Sequence, residues 1–178
     1  MKVVVAILNY NGVNWLQKFL PDVIAKSPEA EVVVIDNAST DSSVEYIRKD
    51  HPNLKLIIND HNSGFAGGYN DGLKKIQADI YVLLNSDIEV TENWLTPIVE
   101  TLKSDENIVA AQPKILAYNQ KDKFEHAGAC GGYIDKLGYP FCRGRIFTET
   151  ETDEGQYDQQ EKIFWATGAC LFIKADKY

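Results

Sequence analysis

The sequence is short of cysteine, of cationic side chains and of long apolar runs. Its three cysteines, Cys130, Cys142 and Cys170, are far apart and form no Cys-x-x-Cys pair. This spacing argues against a zinc site and predicts reduced, partly buried thiols, as in a cytosolic protein. No uninterrupted apolar stretch reaches 18 residues, so we predict no transmembrane helix.

Cationic residues are outnumbered: 18 Lys and Arg stand against 26 Asp and Glu, which gives a formal net charge of −8. A broad nucleic-acid-binding surface requires a cationic excess, so we predict no nucleic-acid partner. An acidic chain can still bind a phosphorylated small molecule through metal ions and backbone N–H groups. The length of 178 residues is typical of one globular domain.

Apolar, β-branched runs alternate with amphipathic segments through the first half of the chain. This alternation predicts βαβ units and an α/β, Rossmann-like fold, with a mostly parallel sheet flanked by helices. Pro21 is expected to kink or restart the first helix, and Ser42-x-x-Glu45 predicts a capping box at the second. The glycine-rich block 62–73 is interpreted as a loop leading into a helix that ends near residue 78. The runs predicted as strands are 3–8, 32–35, 54–58, 80–84 and 108–112.

The second half has a different character. A helix is predicted over 93–103, and the chain is rich in turns from 113 to 162. Its acidic stretch, 149–161, is expected to be an exposed, mobile loop. Residues 163–173 predict one or two strands broken at Thr167-Gly168-Ala169. We predict a single domain over 1–178 whose two halves are 1–112 and a mixed, loop-rich 113–178.

Polar residues follow three of the predicted strands where these strands end. The clusters are Asn9-Tyr10-Asn11, Asp36-Asn37 and Asn85-Ser86-Asp87. Because ligands of open α/β sheets bind outside the carboxyl ends of the strands, we expect the clusters to converge at one edge. Each cluster alone is better explained by turns or helix caps. Their combination, beside the glycines of 64–68, favours a ligand site.

The residue types in these clusters restrict the ligand. Asp36 only accepts hydrogen bonds, which suits the N3–H of uracil or thymine. Backbone amides near Gly64–Gly68 suit phosphate. Asp87 suits Mg²⁺ or Mn²⁺, which are often bound by one or two carboxylates together with substrate phosphates. Asn85 is predicted on the same side of an extended chain, where it would meet a ribose hydroxyl.

Five blocks of the sequence, in this order and spacing, resemble one known family. They read VVVAILNYNG, VVVIDNASTD, NSGFAGGYNDGL, YVLLNSDIEV and WATGACLFIKAD. These blocks are similar to those of family 2 glycosyltransferases with the GT-A fold, and most similar to the rhamnosyltransferase-like subgroup. The first four span residues 3–90 and the fifth spans 165–176, so the resemblance covers nearly the whole chain.

The resemblance implies a TDP- or UDP-linked sugar donor, Mg²⁺ or Mn²⁺, and inversion at the anomeric carbon. It also implies a saccharide or lipid-linked acceptor in polysaccharide synthesis, with a cytoplasmic location, either free or peripheral at the inner membrane face. On this basis 1–112 is the donor half and 113–178 a partial acceptor half. Tyr10 resembles the residue beside the base and Asp36 the carboxylate that contacts N3–H.

The family's Asp-x-Asp motif corresponds to Asn85-Ser86-Asp87, with the first aspartate replaced by asparagine. This replacement removes one charge and leaves Asp87 as the predicted metal ligand. Trp165 and Gly168 are predicted on the acceptor side, with a core tryptophan as the alternative for Trp165. The full set of predicted donor-binding residues is Asn9, Tyr10, Asn11, Asp36, Asn37, Gly64, Phe65, Gly67, Gly68, Asn70, Asn85 and Ser86.

The catalytic base of the family follows the last block, so it is expected beyond residue 178 and the chain is expected to be truncated. Asp176 is a less favoured candidate for that base, with an ordinary strand-end residue as the alternative. Asn70 and Asp71 either line the donor site or cap a helix, and His126 either contacts phosphate or is a plain turn residue. Arg143 and Arg145 are expected at the surface. Two alternatives stay open: a non-catalytic sugar-nucleotide-binding module, and a nucleotidyltransferase, which usually has a basic glycine loop absent from this sequence.

Overall fold

The computed structural model describes residues 1–126, 128 and 130–178. Four α-helices, one short 3₁₀ helix (Ala175–Lys177) and twelve strands are present in this part of the chain. The helices are α1 (Val13–Ala25), α2 (Ser43–Asp50), α3 (Gly64–Leu73) and α4 (Thr96–Ser104). The strands are β1 (Val3–Asn9), β2 (Glu31–Asp36), β3 (Lys55–Ile58), β4 (Ile80–Asn85), β5 (Ala110–Ala111), β6 (Leu116–Ala117), β7 (Gln120–Phe124), β8 (Gly132–Ile134), β9 (Pro140–Cys142), β10 (Arg145–Ile146), β11 (Glu149–Thr150) and β12 (Cys170–Lys174).

The central sheet has six strands in the order β3-β2-β1-β4-β12-β5. Strands β1 to β4 are parallel to one another, whereas β12 is antiparallel to both of its neighbours. This arrangement confirms the predicted α/β class with a mostly parallel sheet. The remaining strands form three two-stranded antiparallel pairs, so the second half is the mixed, loop-rich region that the sequence predicts.

Both faces of the sheet are buried, which explains why its strands are continuous apolar runs. Residues Val5 and Ile7 pack on the side that carries α1, α2 and α4. Val4 and Ala6 face the opposite side, where Tyr69 of α3 packs. The alternation of side chains along β1 therefore fills two separate cores.

The glycine-rich block is itself helix α3, not the loop expected from its composition. A Cβ atom at Gly72 would lie 2.5 Å from the side chain of Ile35, and one at Gly68 would lie 2.8 Å from Nδ2 of Asn37. Because these glycines face β2, the helix packs closer to the sheet than side chains would allow. This tertiary contact overrides the low helix propensity of glycine.

Several smaller expectations also change. Helix α1 continues through Pro21 without restarting. The Ser42 side chain makes no capping hydrogen bond in the described chain, so the predicted capping box is wrong. The helix predicted from residue 93 begins at Thr96, and the strand predicted over 108–112 is only two residues long. The acidic stretch 149–161 is largely exposed, as predicted, but Lys114 pairs with its Asp153 and Asp158 at 2.5 and 2.6 Å.

No helix within the described ranges combines the length and the apolar character needed to span a membrane.

Candidate functional site

The strand pairing brings the three polar clusters to the carboxyl edge of the sheet. Asn9 is in register with Asp36, and Leu8 is in register with Asn85. The first turn of α3 follows β3, so it reaches the same edge. Strand register thus places residues from three distant segments side by side.

Asp36 is completely buried and is bonded inside the protein. Its Oδ2 accepts a hydrogen bond from Nδ2 of Asn9 at 3.0 Å, and its Oδ1 accepts one from the backbone N–H of Ser39 at 2.8 Å. The Oδ1 atom of Asn9 is buried and has no hydrogen-bond partner among the described residues. In this structure the carboxylate therefore orders the loops after β1 and β2, and it does not face solvent.

Asp41 is a site residue that the sequence interpretation missed. Its Oδ2 accepts a hydrogen bond from the N–H of Val13 and its Oδ1 accepts one from the N–H of Ser43, so one carboxylate caps both α1 and α2. Burial alone would raise the pKa of Asp41, but hydrogen bonds from Ser43 and Val13 hold this pKa below its ordinary value. Asn11 supports the same loop, because its Oδ1 accepts a hydrogen bond from the N–H of Thr40 at 2.7 Å.

A chain of asparagine side chains links the sheet edge to α3. Nδ2 of Asn59 donates to Oδ1 of Asn37 at 3.0 Å and to the carbonyl of Gly68 at 3.1 Å. Nδ2 of Asn37 donates in turn to Oδ1 of Asn62 at 2.7 Å and to the carbonyl of Gly64 at 3.1 Å. Asn59 was missed because only the polar residues at the ends of the other three strands were taken as candidates, although the run Asn59-Asp60-His61-Asn62-Ser63 follows this strand too. The network fixes the start of α3 against β2.

Three predicted site residues have exposed side chains that make no hydrogen bond in the described chain, whereas the exposed Asn11 and Asn70 are hydrogen-bonded. Tyr10 is 50% exposed, and Phe65 at the start of α3 is 51% exposed. Asp87 is also exposed, and no group within residues 1–126, 128 and 130–178 forms a hydrogen bond or ion pair with its carboxylate. These groups are the ones a ligand could reach without rearrangement.

The geometry of the Asn85-Ser86-Asp87 cluster differs from the expectation. Asn85 is the last residue of β4, and Ser86 and Asp87 form a turn, so the extended-chain argument for a shared side does not hold. The described residues contain no group of three metal-ligating side chains. A single free carboxylate fits a divalent ion whose remaining ligands are substrate phosphates and water, and it does not fit a complete protein cage.

Gly168, predicted on the acceptor side, lies at the carboxyl edge of the sheet. Because β12 is antiparallel, its first residue Cys170 pairs with Leu84, and the carbonyl of Ala169 accepts the N–H of Asn85 at 3.0 Å. A Cβ at Gly168 would lie 3.0 Å from the ring of Phe65. The segment before β12 therefore contacts the start of α3 at the carboxyl edge of the sheet.

Trp165 is half-buried and packed against the second half of the chain. Its indole covers Gly132, where a Cβ would lie 1.7 Å from Cε2 of the ring, and its Nε1 donates to the carbonyl of Tyr133 at 3.1 Å. Gln112 was missed by the sequence interpretation. Its side-chain oxygen accepts the N–H of Thr167 at 2.8 Å and so holds the loop between Trp165 and β12. Trp165 thus has a structural anchor, and only part of its ring is free.

Other candidates lie away from the edge or are engaged internally. Asn70 accepts a hydrogen bond from the hydroxyl of Tyr178 at 2.7 Å. Asp176 follows the far end of β12, whose Lys174 pairs with Ile80 at the opposite edge of the sheet. This position rules out the substitute-base role considered for Asp176.

Three candidate polar residues of the second half also have partners inside the protein. His126 Nε2 lies 2.8 Å from Nη1 of Arg145, and Arg143 pairs with Glu161 and donates to the carbonyl of Cys130. In the first half, the carboxylate of Asp71 likewise accepts hydrogen bonds from Ser63 and Lys74.

Residues 4–174 match the family model described as glycosyl transferase family 2. The chain belongs to this family. This family 2 domain is 28% identical over 165 residues to the glycosyltransferase GlyA of Streptococcus pneumoniae, covering 90% of this chain and 22% of GlyA. It is 29% identical over 140 residues to a poly-beta-1,6-N-acetyl-D-glucosamine synthase of Staphylococcus aureus, covering 77% and 32% of the two chains. The domain spans 34%, 22% and 60% of the lengths of three of its relatives.

Solved glycosyltransferases share the fold. A mannosyltransferase of Pyrobaculum calidifontis in complex with GDP-Man and Mn²⁺ is 25% identical, with a TM-score of 0.57 over 64% of this chain and 35% of that chain. GalNAc-T7 with UDP, GalNAc and Mn²⁺ is 18% identical, with a TM-score of 0.67 over 98% of this chain and 35% of that chain. The family 2 domain therefore has the GT-A fold, as the sequence predicts.

Proposed function

We propose that this family 2 domain binds a nucleoside-diphosphate sugar at the carboxyl edge of its sheet and transfers the sugar to an acceptor hydroxyl. The observation that carries the proposal is the convergence of the clusters at Asn9, Asp36 and Asn85 beside the first turn of α3. The mannosyltransferase at 25% identity, described with GDP-Man and Mn²⁺, supports a sugar-nucleotide ligand of this kind.

The donor is proposed to be a UDP- or TDP-sugar, held by residues with different roles. Exposed Tyr10 lies beside the base, and the first backbone amides of α3, around Phe65, meet the diphosphate. Asp36 is already satisfied by Asn9 and Ser39, so we propose that it positions Asn9 and does not itself contact the base in the observed arrangement.

Asp87 is the proposed ligand of Mg²⁺ or Mn²⁺, because its carboxylate is exposed and free in the described chain. A bound divalent ion would stabilise the negative charge that develops on the leaving diphosphate. The amide of Asn85 adds no charge, so we assign a single protein carboxylate to this ion.

The proposed transfer inverts the anomeric carbon. The acceptor oxygen attacks from the face opposite the diphosphate, and its proton passes to a base. The diphosphate is a good leaving group, so the reaction needs no general acid, in contrast to glycoside hydrolysis. We assign no residue of this chain as the base, since Asp176 lies at the opposite edge.

The acceptor is proposed to be a saccharide or a lipid-linked saccharide in the synthesis of an envelope or polysaccharide glycan. It would approach past Gly168, which packs against Phe65 at the donor edge. The rhamnosyltransferase-like subgroup and a location at the inner membrane face follow from the sequence resemblance alone and belong to this proposal.

The donor site is tested by thermal stabilisation with UDP, TDP and GDP, each with and without Mn²⁺. A ligand at 100 times its dissociation constant stabilises the folded state by about 2.7 kcal/mol, so UDP or TDP with Mn²⁺ should raise the melting temperature. Asp87→Ala should abolish the additional effect of Mn²⁺, whereas Asp50→Ala, at the exposed end of α2, should not.

The absence of a shift with every nucleotide would contradict the donor site. A metal effect that survives in Asp87→Ala would contradict the metal assignment alone. Release of free sugar or its transfer from the bound donor would separate an enzyme from a non-catalytic binding module.

A further inference from the structure

An aromatic cluster with a central lysine lies on α1 and on the turn between β6 and β7. We call it the aromatic–lysine cluster, and it consists of Trp15, Lys18, Phe19 and Tyr118. Trp15 and Tyr118 are 48% and 43% exposed, and Phe19 is buried between them. The Trp15 and Phe19 rings stack with centroids 6.1 Å apart, and Tyr118 meets Phe19 edge-on at 5.3 Å.

The charge of Lys18 is not neutralised within the cluster. Its Nζ lies 4.2 Å from the ring centroid of Tyr118, 5.0 Å from that of Phe19 and 5.7 Å from that of Trp15. No carboxylate in the described part of the chain forms an ion pair with Lys18, although the protein as a whole is acidic. The three rings hold an exposed ammonium in place and leave it available to an anion.

The cluster lies next to the proposed metal-binding turn. Lys121 has its Nζ 5.7 Å from the Tyr118 ring, and it pairs with Glu89 at 2.6 Å. Glu89 is two residues beyond Asp87, and its charge is matched by Lys121. Helix α1 itself begins four residues after Asn9. A ligand several sugar units long could therefore contact both the donor edge and the cluster.

We propose that the aromatic–lysine cluster binds a carboxylate-bearing sugar unit of an acceptor or product glycan, with the apolar face of its ring on Trp15 and Tyr118 and its carboxylate at Lys18. Flat aromatic side chains present the apolar surface that a pyranose face needs. One unmatched ammonium balances one negative charge, which favours a uronate over a phosphate monoester that carries about −1.5 to −2. The role of the bound glycan as an acceptor rests on the proposed transfer function, whereas its binding to the cluster does not.

The proposal is tested by calorimetric titration of the 178-residue chain with hexagalacturonate and with a neutral galactose hexamer. Hexagalacturonate should bind more tightly, and added salt should remove the difference. Lys18→Met, which keeps the apolar stem, should reduce the affinity roughly to that of the neutral hexamer. Trp15→Ala and Tyr118→Leu, on separate segments, should each weaken binding by roughly 3- to 10-fold. Lys49→Met, an exposed lysine on α2, is the matched control and should bind like the wild type.

Equal affinity for the charged and neutral hexamers, or no loss in Lys18→Met, would overturn the proposal. Tighter binding of a hexamer that carries phosphate monoesters would overturn the carboxylate assignment. The UDP melting shift, measured on the same variants, should not change. A wild type that fails to respond to UDP but binds hexagalacturonate would refute the donor site and leave the cluster intact.

Discussion

The carboxylate of Asp36 accepts a hydrogen bond from the side-chain amide of Asn9 across two adjacent parallel strands, at 3.0 Å and without exposure to solvent. The same carboxylate accepts the N–H of Ser39. One buried group thus orders both of the loops that carry the proposed donor contacts.

Asp36→Ala should destabilise the protein by roughly 2–4 kcal/mol, because it leaves the N–H of Ser39 and one of the two N–H groups of the Asn9 amide without an acceptor; the other donates to Oγ of Ser39 at 3.2 Å. Urea denaturation measures this loss. Asp50→Ala, on an exposed helix end, should change the unfolding free energy by less than about 0.5 kcal/mol. A loss at Asp36 no larger than in this control would show that the network contributes nothing to stability.

Gly72→Ala should destabilise the protein by roughly 1–3 kcal/mol, since the new Cβ would lie 2.5 Å from buried atoms of Ile35. The double variant with Ile35→Ala tests this cause. Removal of the larger side chain makes room for the methyl group. The stability losses of Gly72→Ala and Ile35→Ala, measured separately, should therefore sum to more than the loss in the double variant. Strictly additive changes in thermal or chemical denaturation would mean that the contact with Ile35 does not cause the loss, and a more stable Gly72→Ala would mean that the higher helix propensity of alanine outweighs this contact.

Cys170 should make stability depend on pH in the alkaline range. Burial raises the pKa of its thiol from 9.0 to about 12, so the folded state retains a proton that the unfolded state loses. This contribution is complete below pH 9 and is lost as the pH rises toward 12. The unfolding free energy should fall between pH 8 and pH 10, and this fall should be roughly 1 kcal/mol larger in the wild type than in Cys170→Ala. An identical pH slope in the two proteins would contradict the retained proton.

The succession of the first four strands along the chain, and the meeting of their polar ends at one edge, could be predicted from the sequence because both depend on local patterns. The order of the strands within the sheet was not predicted. Val3–Asn9 is apolar on both faces and ends in polar residues, so the strand and its site end are visible in the same stretch. The antiparallel position of β12 between β4 and β5 was not predictable, because it depends on a pairing between residues more than eighty positions apart. That pairing alone decides that Gly168, and not Asp176, lies at the carboxyl edge of the parallel strands.

Helix α3 and the Asp41 cap show a second limit. Four glycines in ten residues indicate a loop, and only the contact of Gly72 with Ile35 explains why they form a helix. Ser42 and Glu45 match a capping pattern, but the neighbouring Asp41 makes the hydrogen bond. Local propensity fails at α3 because tertiary contacts supply the larger free energy. At α2 the cap comes from Asp41, which lies two residues before Ser43 and also accepts the N–H of Val13.

The asparagine network has a consequence for protein engineering. Asn9, Asp36, Asn37 and Asn59 share hydrogen bonds across the ends of three strands, so each side chain fixes the orientation that its neighbour requires. Side chains that share partners have coupled energies. A change of donor nucleotide through single substitutions at this edge should fail, and sets of replacements chosen together should succeed.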